Sequence, residues 1–309
     1  MSCGVSILMP AYNAEGTIHE TIESIMSQTF DDFELIIVND GSTDNTENIV
    51  SELMQKYPKI RYLSQNNAGV CVSRNVALDH ARGRYIAIID ADDLWVPDKL
   101  SRQMDVLAGD EDVFVLTGNR IFYGDGEDRE FGTVTMPPDV VNEKYDTSNI
   151  LKVDLYQMVL INTALVGRDA VRSLGGWSPD KWTAEDWDLW VRASNKYRFR
   201  TIQEPLVLYR KHKKSLTSGQ DFFKVSQAHE EIIYESFFSG AISRSELSNI
   251  LLKRRVEACG IFVYQKEFLK SLVMLAKAFR LLRCWVDKKA WIKVKDVVFL
   301  AFKKITGDV

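Results

Sequence analysis

A chain of 309 residues with 46% apolar and 27% charged residues is long enough for one large or two modest folded domains and excludes a disordered protein. Its net charge of −4 argues against a nucleic-acid binder, although residues 270–309 hold ten Lys/Arg against three Asp. No apolar run approaches the roughly 20 residues that span a bilayer, so no crossing is expected.

The elements alternate. An apolar strand is expected at 4–10, then a helix over 14–28 with Ile18, Ile22 and Ile25 on one face. A second strand at 33–40 precedes a helix from Asp44 to Lys56. A third at 60–65 precedes a helix over 69–81, and a fourth at 84–91 precedes a helix over 97–107 that opens on Pro97. Buried strands alternating with helices predict a Rossmann-like, mostly parallel sheet with helices on both faces. Residues 110–140 are irregular, with "YGDGEDREFG" as an exposed turn between strands. Then come a strand at 163–169, a Gly-Gly turn at 175–176, a helix over 185–196 and an extended run at 198–212. Everything past 220 reads as helical. The four cysteines (Cys3, Cys71, Cys259, Cys284) form no CxxC pair and follow no signal peptide, so free thiols in a reducing cytoplasm are expected.

In a parallel sheet, ligands bind beyond the carboxyl ends of the strands. Here the strands end in "PAYN", "NDGSTD", "QNNAG" and "DADD", which gathers four polar clusters on one rim. Asp90 and Asp92, two residues apart, point to the same side of the chain. Such close like charges call for a cation, and Mg2+ accepts one or two carboxylates while substrate phosphates complete its shell. The other reading of this cluster is a cap for the helix near Pro97, with Asp93 a solvated neighbour. Asp40 can accept hydrogen bonds from a base or ribose, while Ser42 or Asp44 suits a helix N-cap. No GxGxxG follows the first strand; Pro10 and the stacking aromatic Tyr12 suit a single nucleotide better than a dinucleotide. Glu185 and Asp186 open a helix, where its dipole favours carboxylates. Trp190 reads as core, Trp182 as a wall for an acceptor, and Asp188 as a helix-surface residue and fallback base.

Six motifs in order, "SILMPAYNAEGTIHETIESIMSQTF", "ELIIVNDGSTDNT", "NNAGVCVSRNVAL", "IAIIDADDLWVPDKL", "AEDWDLWVR" and "YRKHKKSLT", resemble those of the family-2 inverting glycosyltransferases of GT-A fold, known from bacterial surface-polysaccharide synthesis. The match covers residues 4–217. The resemblance implies a nucleotide-sugar donor, a divalent cation (Mg2+ or Mn2+) and inversion at the anomeric carbon. It implies that Pro10, Tyr12 and Asp40 line the base and ribose pocket, and that Asn67, Gly69 and Arg74 lie over the donor. Arg74 suits the diphosphate; a surface salt bridge is its other reading. Asp90 is implied at the ribose or sugar, Asp92 at the metal, His212 near the diphosphate or metal, and the catalytic pair is Glu185 and Asp186, with Asp186 as general base. Lys211, Lys213 and Lys214 around His212 would neutralise the departing diphosphate on a closing loop.

The expected organisation is a GT-A domain at 1–218, with a nucleotide-sugar half (1–118) and an acceptor half (119–218), then a helical basic extension at 219–309. Within 268–305, apolar residues recur at helical spacing among lysines and arginines, with Trp285 and Trp291 near a headgroup level. That pattern fits peripheral contact with the inner face of the cell membrane and a lipid-linked saccharide acceptor; packing on the core or in a homodimer is its other reading. A polyprenyl-phosphate acceptor, a catalytically silent nucleotide-binding scaffold and a nucleotidyltransferase are the rival functions.

Overall fold

The structure is a computed structural model and describes residues 4–123, 130–134, 160–181, 183–211, 222–264, 270, 273–274 and 276–277. Four apolar runs form one parallel block: β1 (Val5–Ala11), β2 (Phe33–Asn39), β3 (Ile60–Ser64) and β4 (Tyr85–Ile88), in the order β3-β2-β1-β4. β1 and β2 are buried at every residue, as strands covered on both faces must be. Helices α1 (Ile18–Met26), α2 (Thr46–Lys56), α3 (Val70–His80) and α4 (Lys99–Leu107) connect or follow them. Because these four strands run the same way, their carboxyl ends share one edge. Ala11 pairs with Asn39, and Asn39 with Ser64.

Beyond β4 the sheet changes character. β8 (Leu165–Gly167) joins β4 antiparallel, and β6 (Val113–Tyr123) pairs with it antiparallel. β9 (Arg198–Lys211) runs parallel to β6, and β7 (Glu130–Val134) pairs with β6. The fourth strand is shorter than the expected 84–91, because the chain turns at Asp90, where Asp93 N–H donates to the Asp90 carbonyl at 3.2 Å. It re-enters the sheet as β5 (Leu94–Trp95), antiparallel to β9. The aspartate turn therefore spans from the sheet's centre to its far edge.

The expected helix at 14–28 starts later, at Ile18, because Asn13 adopts a left-handed φ of 49° and residues 13–15 bond elsewhere. The strand expected at 163–169 is a 3₁₀ turn (Ile161–Thr163), then β8, then α5 (Arg168–Ser173). The helix expected at 185–196 is α6 (Glu185–Ser194).

The chain divides into two compact units, Met1–Tyr145 with Gln157–Gly219, and Asp146–Tyr156 with Gln220–Val309. The second holds α7 (Phe222–Phe238) and α8 (Arg244–Tyr264). Ser243 and Glu246 form a reciprocal cap at the start of α8, and Arg255 grips Glu230 through Nε (2.8 Å) and Nη2 (3.0 Å). Most of the basic run 268–305 lies outside the described residues. Among the described residues, no helix is long and apolar enough to cross a membrane.

Gly41 sits at the carboxyl edge with φ of 75°, and a Cβ there would meet the Asn67 amide nitrogen at 2.8 Å. Gly41→Ala is expected to destabilise the protein by about 1–3 kcal/mol, read from urea denaturation midpoints. A loss below about 0.5 kcal/mol would show that the backbone relaxes freely.

Candidate active site

The loops after β1 and β2 are laced together by side chains. Asn13 N–H donates to Ser42 Oγ (2.9 Å), and Asn13 Oδ1 accepts from Thr43 N–H (2.8 Å). Ala14 N–H donates to Thr46 Oγ1 (2.8 Å) and Glu15 N–H to Asp44 (3.0 Å). Ser42 and Asp44 thus bridge two loops; Asp44 also accepts from Thr46 N–H (3.0 Å) at the start of α2. Tyr12 stands beside this lacing at 53% exposure, with Pro10 buried in β1.

Asp40, where β2 ends, is buried and accepts from Gln65 Nε2 (2.7 Å) and from Ala68 and Gly69 N–H (2.9 Å each). Three donors from residues 65–69 fix the exposed Asn67 and Gly69 and set the start of α3. A carboxylate has about four acceptor positions, so one remains for an incoming donor.

The aspartate turn is held from four sides. Thr17, the residue before α1, and Thr21 of α1 donate to the Ala91 carbonyl at 2.9 and 3.1 Å. Arg210 of β9 donates its backbone N–H to Asp93 (2.9 Å), Nε to the Asp92 carbonyl (2.7 Å) and Nη2 to Glu20 (2.5 Å). Asn162 donates to Asp93 from the 3₁₀ turn. Arg74 reaches Asp90 from α3 at 3.0 Å. Asp93 is therefore no solvated neighbour: it is fully buried, and burial with the nearby charges of Asp92 and Asp90 raises its carboxyl well above the usual range. Asp92 is half-buried on the same turn as Asp90. Both Asp93 oxygens are already bonded, which leaves Asp90 and Asp92 to offer hard carboxylate oxygens of the kind Mg2+ or Mn2+ takes; among the described residues no group of three or more His, Cys, Asp or Glu side chains could hold a metal ion. His212, Lys213 and Lys214, and Trp182, lie outside the described residues.

Arg74 stands inside a cluster of carboxylates, and its ion pairs are buried rather than on the surface. Its side chain is 3% exposed, with Nη2 on Asp90 (3.0 Å) and Nη1 on Glu185 (3.2 Å) and Asp186 (3.1 Å). Glu185 and Asp186 arrive from the first turn of α6, and Asp186 also accepts from Ile161 N–H at 3.1 Å. Burial lifts the Asp186 carboxyl to about 8, against the opposing pull of Arg74; burial raises Glu185 as well. Losing one partner of a buried ion pair destabilises a protein by about 3–5 kcal/mol, so this cluster is also structural.

The tryptophans of α6 face inward. Trp190 packs edge-on against Phe114 and Phe199 as a core residue, as expected, and Trp187 is buried beside it on the helix at 6% exposure. Asp188 is likewise buried rather than on the helix surface, gripped by Arg192 (2.7 Å) and Ser178 (3.1 Å). Sequence reasoning gave no role to Asn75, which exchanges two hydrogen bonds with the Trp177 backbone (2.8 and 2.9 Å), nor to Asn162 and Arg210. Asn75 and Arg210 do stand inside recognised motifs, beside Arg74 and two residues before His212.

A parallel sheet with a carboxylate turn at its carboxyl edge, facing a Glu-Asp pair on a later helix, defines a GT-A glycosyltransferase. The chain belongs to glycosyl transferase family 2, whose model matches residues 6–164. It is 33% identical over 218 residues to the Escherichia coli UDP-Glc:alpha-D-GlcNAc-diphosphoundecaprenol beta-1,3-glucosyltransferase WfaP, covering 70% of this chain and 80% of that protein. Staphylococcus aureus TarS 1–349 bound to UDP-GlcNAc shares the fold at TM-score 0.66 and 18% identity, over 98% of this chain and 92% of that one. The Pyrobaculum calidifontis mannosyltransferase PcManGT, with GDP-Man and Mn2+, gives 0.62 at 19% identity, over 98% and 81%.

The raised Asp186 carboxyl makes folding depend on pH. The folded protein holds this proton more tightly than the unfolded chain, whose value is near 3.8. Its contribution to stability is complete below about pH 4 and is lost as pH rises through about 8. Urea stability should therefore decline across that window, and Asp186→Asn should flatten the decline. An unchanged slope would show that the carboxyl titrates normally.

Proposed function

We propose that this glycosyltransferase moves a sugar from a nucleotide-sugar donor to a saccharide hydroxyl by a metal-dependent, inverting single displacement. The observation that carries this reading is the placement of Asp186 and the Asp90–Asp92 turn around one guanidinium, which sets a raised-pKa carboxylate beside the donor rim.

Tyr12 offers an exposed face for stacking on the base, and the remaining acceptor position of Asp40 suits a base N–H or ribose hydroxyl. Asn67 and Gly69 lie over the donor, and Asp90 meets the ribose or sugar. Asp92, with His212, would hold a divalent cation, which when bound neutralises charge on the leaving diphosphate. Lys213 would add a second positive charge there, and Trp182 would meet the acceptor. Asp186 takes the proton of the acceptor hydroxyl as its oxygen bonds to the anomeric carbon. The bond to the diphosphate breaks with its electron pair leaving on the diphosphate oxygen. Attack from the opposite face inverts the centre, and no covalent enzyme species is needed.

Relatives support a nucleotide-sugar donor and a lipid-linked acceptor. WfaP is named for transfer from UDP-Glc to a GlcNAc-diphosphoundecaprenol, and TarS and PcManGT were solved with UDP-GlcNAc and with GDP-Man and Mn2+. The basic amphipathic pattern of 268–305 fits an anionic leaflet, with the enzyme peripheral on the inner membrane face.

Asp186→Asn is expected to lower transfer by about 100-fold or more while leaving donor binding intact, as removal of a general base does. Wild-type kcat/KM should rise with pH towards about 8, and chelation should stop turnover until Mg2+ or Mn2+ is restored. Full turnover by the Asn variant would end the base assignment. The full-length protein should also co-sediment with phosphatidylglycerol vesicles and not with neutral phosphatidylcholine; equal recovery from both would reject anionic-leaflet binding.

A further inference from the structure

Arg74 is the single cation that touches both the donor side and the base side of the site among the described residues. The three carboxylates come from separate parts of the fold: Asp90 from the turn after β4, and Glu185 and Asp186 from the start of α6. Guanidinium N–H groups form a rigid planar fork, so the direction of Nη2 fixes that of Nη1. Seating the fork therefore fixes Asp186 relative to Asp90. A lysine ammonium, a point charge on a flexible stem, would neutralise the cluster without setting that geometry.

The same contacts commit three of the five guanidinium N–H groups to carboxylates. Nη1 is shared by two carboxylates, Nη2 serves Asp90, and Nε is buried without a partner among the described residues. The other neighbours of Asp186 cannot replace the fork. Ile161 supplies one backbone N–H, and burial pushes the nearby Cys71 thiol up to about 12, so it stays neutral. Asn75, the next residue, ties the same helix to the Trp177 backbone, which anchors α3 to the segment leading into α6.

The geometry points to Arg74 as a positioning residue that aligns the base Asp186 with the donor contact Asp90 and does not ligate the diphosphate. This rests on the proposed reading of Asp186 as the base.

The test uses the full chain with Arg74→Gln, Arg74→Lys and, in parallel, Asp186→Asn. Turnover is followed on whichever nucleotide-sugar, from a panel of UDP-, GDP- and dTDP-sugars, the wild type hydrolyses fastest. Affinity is read by calorimetry with the matching nucleoside diphosphate and Mn2+. Arg74→Gln should lower kcat by about 100-fold while the nucleoside diphosphate Kd stays within about threefold. Arg74→Lys should recover only about a tenth of the wild-type kcat, because it restores charge without the fork. If Arg74→Gln does not fold, Arg74→Lys alone reads the same split between kcat and Kd. A Kd weakened by about tenfold or more would make Arg74 a diphosphate ligand and overturn the inference, as would an unchanged kcat. If Asp186→Asn keeps its turnover, the base assignment falls first, and the route from Arg74 through Asp186 falls with it.

Discussion

The site is organised around one buried positive charge. Two carboxylates about 4 Å apart repel by about 4 kcal/mol in a partly buried setting, and this site gathers three around a single point. A cation at their centre, together with the protons that burial favours on Asp186 and Glu185, makes the arrangement tolerable. Arg74 supplies the cation at 3% side-chain exposure, where solvent screening is weak. The position of α3, the direction of the turn after β4 and the entry angle of α6 all have to agree for its contacts to form. Sheet topology makes that agreement achievable, because β4 joins the parallel block to the antiparallel segment carrying β8.

Around this centre the fold fixes irregular backbone with side chains. Asp40 replaces a missing ladder for residues 65–69, and Arg210 does the same for the aspartate turn. Loops placed this way supply precise geometry where neither helix nor strand continues. Buried carbonyl and N–H groups must find partners somewhere, and here their partners fix the shape of the rim.

Much of the fold was legible because its signals are local. Apolar runs of β1 and β2, helical spacing in α1 and turn residues after each strand all lie within short windows. The order of the motifs then pointed to the family. What stayed hidden depends on long-range partners. Asp93 reads as one more surface carboxylate until Arg210, 117 residues away, donates to it. Asp188 is a nearer case: it looks polar and exposed on helical spacing alone, yet Arg192, four residues on, and Ser178, ten before, hold it inside. Arg74 was recognised as important, but its partners lie 16, 111 and 112 residues away, and nothing near it in sequence names them. Helix starts shifted for a similar reason: the backbone at 13–15 bonds to another loop before α1 begins.

The lacing of residues 13–15 to 42–46 bears on how this surface can vary. Asn13, Glu15, Thr43 and Asn45 are exposed, and by solvent accessibility alone each would be free to change. Yet Asn13 and Glu15 accept across the gap from the backbone N–H groups of Thr43 and Asn45, and Thr43 also donates its hydroxyl to Asn13. Replacing one side chain opens its partner loop as well. Drift in one loop is therefore confined to substitutions that the other can answer, and this exposed rim varies under the constraints of an interior.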